Sequence, residues 1–141
     1  MKEQILILIT ALLFLVCLSA SAQMKTITGR IISEDFEVLE NAIIRTKDSK
    51  YTATADEHGN YSIKVPEATK ELVALYIAME TDTIPIMGKC QVNIILLNHM
   101  IIEYETVEQA KKHFKRRKKD LKPLYNKAYK EGVFKRENPC S

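Results

Sequence analysis

The 141-residue chain contains no tryptophan and only three cysteines and three histidines. His58, His99 and His113 are far apart in sequence, and no Cys-x-x-Cys or His-x-x-Glu pair occurs, so the sequence predicts no ordinary metal site. Glycine-flanked nucleophile elbows and phosphate-loop patterns are also missing. The sequence therefore predicts no catalytic residue, no metal ligand and no cofactor, and it favours a protein that is not an enzyme.

Two weaker chemical candidates remain. Asp56, Glu57 and Asn60 could line a weak calcium loop, but Gly59 stands at the wrong offset for the known calcium-loop pattern, so a turn is favoured. Cys90 follows Lys89, a neighbour that favours a reactive thiolate, but no histidine is close in sequence. We therefore expect neither a calcium site nor a reactive thiol.

Residues 1–22 have the three parts of a secretory signal peptide. Lys2 gives a basic start, residues 5–18 form a 14-residue apolar stretch, and Ala20-Ser21-Ala22 place small residues before a cut at Gln23. The stretch is shorter than the about 20 residues that a membrane-spanning helix needs. We expect an exported bacterial protein, in the periplasm, at the outer membrane or outside the cell. A lipoprotein anchored through Cys17 and an uncleaved anchor are the alternatives.

Cleavage would leave 119 residues, enough for one domain, with two cysteines. In an oxidising compartment Cys90 and Cys140 could form a disulfide, but the sequence slightly favours two unpaired thiols. Charge divides this region in two. Residues 23–104 hold eight basic and twelve acidic residues, whereas residues 105–141 hold twelve basic and five acidic. We expect two structural units of opposite charge that attract each other.

The first unit, residues 23–104, shows short runs of β-branched and apolar residues separated by turn formers. This pattern is typical of an all-β sandwich or barrel. In residues 61–65, Tyr61, Ile63 and Val65 alternate with polar residues, and residues 56–60 before them predict a hairpin turn. Residues 72–79 and 94–97 are apolar on both faces, so we expect both faces of each segment to be covered.

The second unit, residues 105–141, predicts a basic helical tail. Thr106 and Gln109 have the spacing of a capping box, and Pro123 predicts a kink or a restart of the helix. An apolar stripe at helical spacing follows, and Gly132 predicts its end. The residues of this apolar stripe are Leu121, Leu124, Tyr125, Ala128 and Tyr129. Earlier in the tail, the same helical spacing is shown by Val107, Ala110 and Phe114.

Several segments of the first unit resemble the carboxypeptidase regulatory-like domain. They are residues 26–33, 42–45, 54–66 with an Asp-x-x-Gly-x-Tyr-x-Ile run, and 72–77. The resemblance implies a transthyretin-like, Greek-key β-sandwich of about seven strands, as at the N-terminus of TonB-dependent outer-membrane transporters. Phe36, Asn41 and the pair Ala78-Met79 depart from the family, which usually has glycines or a glycine-aromatic pair there. Residues after Leu97 resemble neither a transporter barrel nor a zinc peptidase, and a fold alone does not fix a function.

The basic run of the tail has two interpretations. It could be a solvated helix face that docks on the acidic β-unit through Phe114, Leu121 and Tyr125. It could also contact an anionic lipid or an acidic protein. Nucleic acid is disfavoured because the leader predicts export. The candidate contact residues are Lys111, Lys112, Lys115, Arg116, Arg117, Lys118 and Lys119.

We expect an exported, non-enzymatic binding or assembly module of the cell envelope that contacts a protein or a glycan through the surface of the sandwich. Two alternatives come from other classes. One is an accessory domain of a peptidase-type hydrolase system. The other is a structural protein that assembles with its own copies by pairing edge strands.

Overall fold

The computed structural model describes residues 23–99, 106–135 and 140. The predicted leader with Cys17, and residues 100–105 between the two predicted units, lie outside these residues. The strands are β1 (Met24–Ser33), β2 (Ile43–Arg45), β3 (Thr52–Thr54), β4 (Asn60–Pro66), β5 (Glu71–Leu75), β6 (Asp82–Pro85) and β7 (Ile94–Leu96), and the helices are α1 (Val107–Lys119) and α2 (Leu121–Lys130).

The strands form two sheets. One has three strands in the order β4-β1-β7, with β1 and β7 parallel, and the other has four antiparallel strands in the order β3-β2-β5-β6. The prediction of a mainly β chain followed by a helical tail is confirmed. We call the two sheets together the β-domain.

The two sheets share one hydrophobic core. The inward residues of the three-stranded sheet include Ile27, Ile31 and Ile63, and those of the four-stranded sheet include Ile44 and Leu72. Ile27 and Ile31 lie on one face of β1, as the alternation of the sequence predicts, and both are fully buried. Burial of these aliphatic side chains at about 1.5–3 kcal/mol each is the main force that holds the sheets together.

A single glycine allows the close approach of β1 to the segment that leads into β7. A Cβ atom on Gly29 would lie 1.8 Å from the Val92 carbonyl oxygen. The same carbonyl accepts a hydrogen bond of 2.6 Å from the Tyr61 hydroxyl, so a buried polar group is satisfied where the backbones meet. Glycine is therefore required at position 29 for steric reasons.

The turn at residues 56–60 has the predicted chemistry, but the prediction of a hairpin is wrong. The Asp56 carboxylate accepts hydrogen bonds from the N–H groups of His58 and Asn60, and Gly59 has a φ of 76°. However, β3 pairs with β2 in one sheet and β4 pairs with β1 in the other. The turn is therefore a corner between the two sheets, because β3 and β4 belong to different sheets.

The prediction that residues 72–79 are covered on both faces is wrong at its end. Leu72, Val73 and Ala74 are buried, but β5 ends at Leu75 and the Ile77 side chain is 83% exposed. In contrast, Ile94, Ile95, Leu96 and Leu97 are all buried, as predicted. The difference arises because a helix covers the outer face of β7 and no described residue covers Ile77.

Among the described residues, five other than glycine have a positive φ, a region in which a side chain is strained. Three of them are Phe36, Asn41 and Ala78. At these positions the family that the first unit resembles usually has glycine. Ala78 has a φ of 60°. It keeps this conformation because its carbonyl accepts a hydrogen bond of 2.9 Å from the His99 N–H, which holds the turn in place.

We predict that Ala78→Gly raises the free energy of unfolding by about 0.5–1 kcal/mol, because glycine adopts a positive φ without the steric penalty of a Cβ atom. The matched control is Ala68→Gly, at an exposed turn residue whose φ is not positive. We expect the control to be neutral or destabilising. Urea unfolding of both variants checks this, and a loss of stability in Ala78→Gly would contradict it.

Candidate binding surface on the C-terminal helices

Local sequence signals fix the bounds of the two helices. Thr106 and Gln109 form the predicted capping box, in which each side chain bonds to the backbone N–H of the other. Helix α1 ends at Lys119 with Asp120 as its C-cap, and α2 begins at Leu121 with Pro123 in its first turn, where a missing N–H is harmless. Gly132, at a φ of 74°, ends the helical segment as predicted.

Helix α2 packs its apolar stripe on the outer face of β1 and β7. Leu121 and Ala128 are buried against Ile32, Ile95 and Leu97 of the three-stranded sheet. The rest of the stripe packs around this cluster, and Phe134 returns beneath the helix after the turn at Gly132. In α1, Phe114 joins the same cluster, whereas Val107, which has the same helical spacing, is 73% exposed.

Polar contacts fix the position of the helices on the sheet. The Tyr125 hydroxyl accepts a hydrogen bond of 3.0 Å from the Ile95 N–H and donates one of 3.3 Å to the Asn93 carbonyl. The buried Asn93 side chain accepts from the Arg30 N–H at 3.1 Å and donates to the Lys135 carbonyl at 3.0 Å. Asn93 was not predicted from the sequence, although a lone Asn inside an apolar run was the available signal.

Two basic residues of α1 bind acidic residues of the β-domain. Arg117 donates to the Glu34 carboxylate at 2.6 Å and to the Asn98 carbonyl at 2.8 Å, and both partners of the ion pair are largely buried. Lys118 pairs with Asp82 of β6, which is 8% exposed. These contacts agree with the attraction expected between the acidic and the basic unit.

A disulfide bond joins Cys140 to Cys90, with a Cα–Cα distance of 4.6 Å and a sequence separation of 50 residues. Cys90 lies before β7, and its backbone carbonyl accepts a hydrogen bond from the Thr28 N–H of β1. The bond therefore links the C-terminal end of the tail covalently to the β-domain.

The remaining predicted contact residues of α1 point away from the β-domain. At roughly 100° per residue they fall within an arc of about 140°, opposite Ala110, Phe114 and Arg117. All of them are exposed. We call this set the outer face of α1: Lys111, Lys112, Lys115, Arg116 and Lys119.

The structure does not bring the histidines together. His58 lies in the turn between β3 and β4, and His99 contacts the Glu80 carboxylate at 2.9 Å. No group of three or more His, Cys, Asp or Glu side chains could hold a metal ion within the described part of the chain. In residues 23–99 and 106–135, no helix is both long enough and apolar enough to cross a membrane.

Two turn aspartates of the described chain have lowered pKa values. A hydrogen bond from the Thr46 hydroxyl, with another from the Lys50 N–H, lowers the pKa of Asp48 below its usual value. The N–H groups of Asn60 and His58 lower the pKa of Asp56 in the same way. Both carboxylates are therefore held in the charged form by the turns that they stabilise.

A second exposed surface lies on the outer side of the four-stranded sheet, which faces away from the helices. Ile43 and Leu75 are directly paired across β2 and β5, on the face opposite the buried Ile44 and Ala74. With Ile77 they line a depression of about 420 Å³, whose other lining residues are Glu40, Asn41 and Tyr76. We call Ile43, Leu75 and Ile77 the aliphatic patch.

The free edge of β6 offers no backbone donors for pairing with another strand. The Ile86 N–H bonds to the Lys70 carbonyl, so by alternation Thr83 and Pro85 face the free edge. The Thr83 N–H is already bound by the Asp82 carboxylate at 2.8 Å, and proline has none. Pairing of copies through this edge is therefore disfavoured.

We predict that Arg117→Met lowers the free energy of unfolding by about 1.5–3 kcal/mol, because two charge-assisted hydrogen bonds are lost and Glu34 keeps its charge without its partner. The matched control is Arg116→Met on the outer face of α1, which should change stability by less than about 0.5 kcal/mol. Thermal and urea unfolding check both values. Equal effects at the two positions would show that Arg117 does not hold the helix to the β-domain.

We also predict that a reductant lowers the free energy of unfolding by about 4 kcal/mol, because opening a loop of this length restores entropy to the unfolded chain. Urea unfolding with and without dithiothreitol measures the effect. The double variant Cys90→Ser/Cys140→Ser serves as the control and should not respond to the reductant. An unchanged midpoint of the parent protein in dithiothreitol would contradict the prediction.

No family model matches the chain, and a search of curated proteins gives no match.

Proposed function

We propose that this chain is an exported, non-enzymatic binding or assembly module of the bacterial cell envelope, which contacts an envelope protein through the aliphatic patch of its β-domain. The single observation that carries the proposal is the exposure of that patch. Ile43 is 43% exposed and Ile77 is 83% exposed, side by side with Leu75 around one depression. Aliphatic side chains exposed singly are ordinary on a protein surface, whereas adjacent ones that form a contiguous apolar patch are typical of interaction sites.

The chemistry of the patch favours a protein partner over a glycan. Its apolar surface comes from isoleucine and leucine, with one tyrosine at the side. Aliphatic side chains contribute to binding by leaving water, which suits the apolar core of a protein interface. The segment that follows Ile77 is held by hydrogen bonds between residues 78–80 and 97–99, so Ile77 has a defined position.

We further propose that the β-domain is a transthyretin-like sandwich of the carboxypeptidase regulatory-like type. The conformations of the departing residues support this, because Phe36, Asn41 and Ala78 all have the positive φ that the family's glycines would adopt freely. The role of Tyr61 in the Asp-x-x-Gly-x-Tyr-x-Ile run also supports it. Its hydroxyl bonds to the Val92 carbonyl across β1.

The test of the function is site-specific crosslinking in intact cells. A photoreactive phenylalanine analogue at position 77 should capture one envelope protein, and the same analogue at Glu57, an exposed residue of the turn between β3 and β4, should not. Ile43→Lys in the same chain should abolish the adduct at position 77. Capture of a glycan in place of a protein, or equal capture at both positions, would contradict the proposal.

A binding measurement with the captured protein completes the test. Ile43→Lys should weaken the affinity at least about tenfold, because burying a lysine at an apolar contact costs more than about 1.4 kcal/mol. The matched control is Ser62→Lys, an exposed strand residue of the other sheet. The control should bind like the parent protein, and both variants should unfold at the same temperature as the parent.

A further inference from the structure

The basic residues of α1 are divided between a side that binds the β-domain and the outer face. Arg117 and Lys118 bind Glu34 and Asp82 of the β-domain. Within the described residues, none of the five side chains of the outer face forms an ion pair, although the acidic Glu108 lies in the same arc. The inward cations are therefore bound within the molecule, whereas the outward cations form no ion pair with a described residue, and Glu108 is the one acidic residue among them.

The repulsion between the basic residues of the outer face destabilises α1. Lys111, Lys115 and Lys119 follow one another at four-residue spacing, and Lys112 and Arg116 form a second such pair. Like charges at this spacing repel each other on a helix. The capping box and the docking of Phe114 and Arg117 hold the helix in place in spite of this repulsion. An external polyanion would relieve it.

The composition of the face favours a lipid surface over a protein or a nucleic acid. Cores of protein interfaces are apolar or aromatic and are depleted in lysine, whereas this face consists of four lysines and one arginine and its arc contains no apolar side chain. It also has no aromatic side chain on which a nucleic-acid base could stack. Laterally mobile lipid headgroups need neither feature, since they gather around charges wherever these lie.

We propose that the outer face of α1 binds the phosphate-bearing headgroups of an anionic lipid surface. The contact is electrostatic and involves no insertion, because the apolar side of α1 is packed on the β-domain through Phe114. The face is about 12 Å long. When α1 lies parallel to the lipid surface, all of its outward cations can come within one Debye length of that surface, which is about 8 Å at physiological salt. The outer face lies on the helical layer, away from the aliphatic patch, so one copy can bind lipid and a protein partner at once.

The experiment measures the binding of the purified, exported protein to vesicles. Vesicles of phosphatidylcholine with phosphatidylglycerol should bind it, and vesicles of phosphatidylcholine alone should not. The triple variant Lys112→Glu/Lys115→Glu/Lys119→Glu should bind at least about 100-fold more weakly, since each cation near the surface contributes about fivefold and each reversal also adds repulsion. High salt should abolish binding of the parent protein.

Two matched variants keep the result interpretable. Lys50→Glu/Lys64→Glu/Lys70→Glu makes the same charge change at exposed residues of the β-domain and should retain most of the binding. Lys112→Arg/Lys115→Arg/Lys119→Arg should bind like the parent. Circular dichroism and thermal unfolding establish that each variant is folded. In the first triple variant, the carboxylates introduced at positions 112 and 115 would face Arg116 and Lys111 at four-residue spacing and offset the new like-charge pairs 108/112 and 115/119, so the helix should not be lost.

Three outcomes would overturn the proposal. They are equal loss of binding in the two Glu variants, equal binding to neutral vesicles, and tighter binding to duplex DNA or to an acidic polypeptide than to anionic vesicles at the same salt. The proposal shares only the exported location with the proposed function. Crosslinking at position 77 tests the aliphatic patch and vesicle binding tests α1, so each can fail without the other.

Discussion

The structure depends on the burial of both faces of β7. Ile94 and Leu96 point into the core between the sheets, so Ile95 of the same short strand and Leu97 directly after it point outward. If these two aliphatic side chains were exposed to solvent, the free energy of unfolding would be lower by about 1.5–3 kcal/mol for each of them. Helix α2 covers them, and the Tyr125 hydroxyl binds the Ile95 N–H directly. The helical tail is thus a third layer of the domain rather than an appendage, and its position is set by the sheet beneath it.

This constraint explains how the charges are distributed. With the apolar stripe of α2 packed on the sheet and Phe114 of α1 packed against the same cluster, Arg117 and Lys118 lie next to Glu34 and Asp82. Asp82 also accepts from the Thr83 N–H, so one carboxylate both binds the tail and blocks the edge of β6. The remaining cations of α1 then have to face solvent. The acidic β-domain and the basic tail are consequently joined on one side only, which leaves the molecule with a cationic surface on its helical layer.

Much of this could be predicted from the sequence, because the relevant signals are local or periodic. The alternation in β4, the capping box at Thr106 and the stop at Gly132 each depend on neighbouring residues. The apolar character of residues 94–97 predicted a cover, and the tail provides it. The errors concern long-range pairing. Whether the turn at Asp56 joins paired strands depends on β1 and β2, and whether Ile77 is covered depends on where the helices lie. Neither is encoded near those residues.

The candidate surfaces show the same limit more sharply. The sequence identified seven basic residues as one set, but the packing of Phe114 and Leu121 divides them into two that bind the β-domain and five that do not. A helical projection alone could give the arc, but it could not say which side of that arc meets the sheet. The aliphatic patch was missed because an exposed Ile43 and a buried Ile44 differ only by strand orientation. Residues that work on the outside of a fold are recognised only once its inside is known, because the same side chains stabilise the core when they point inward.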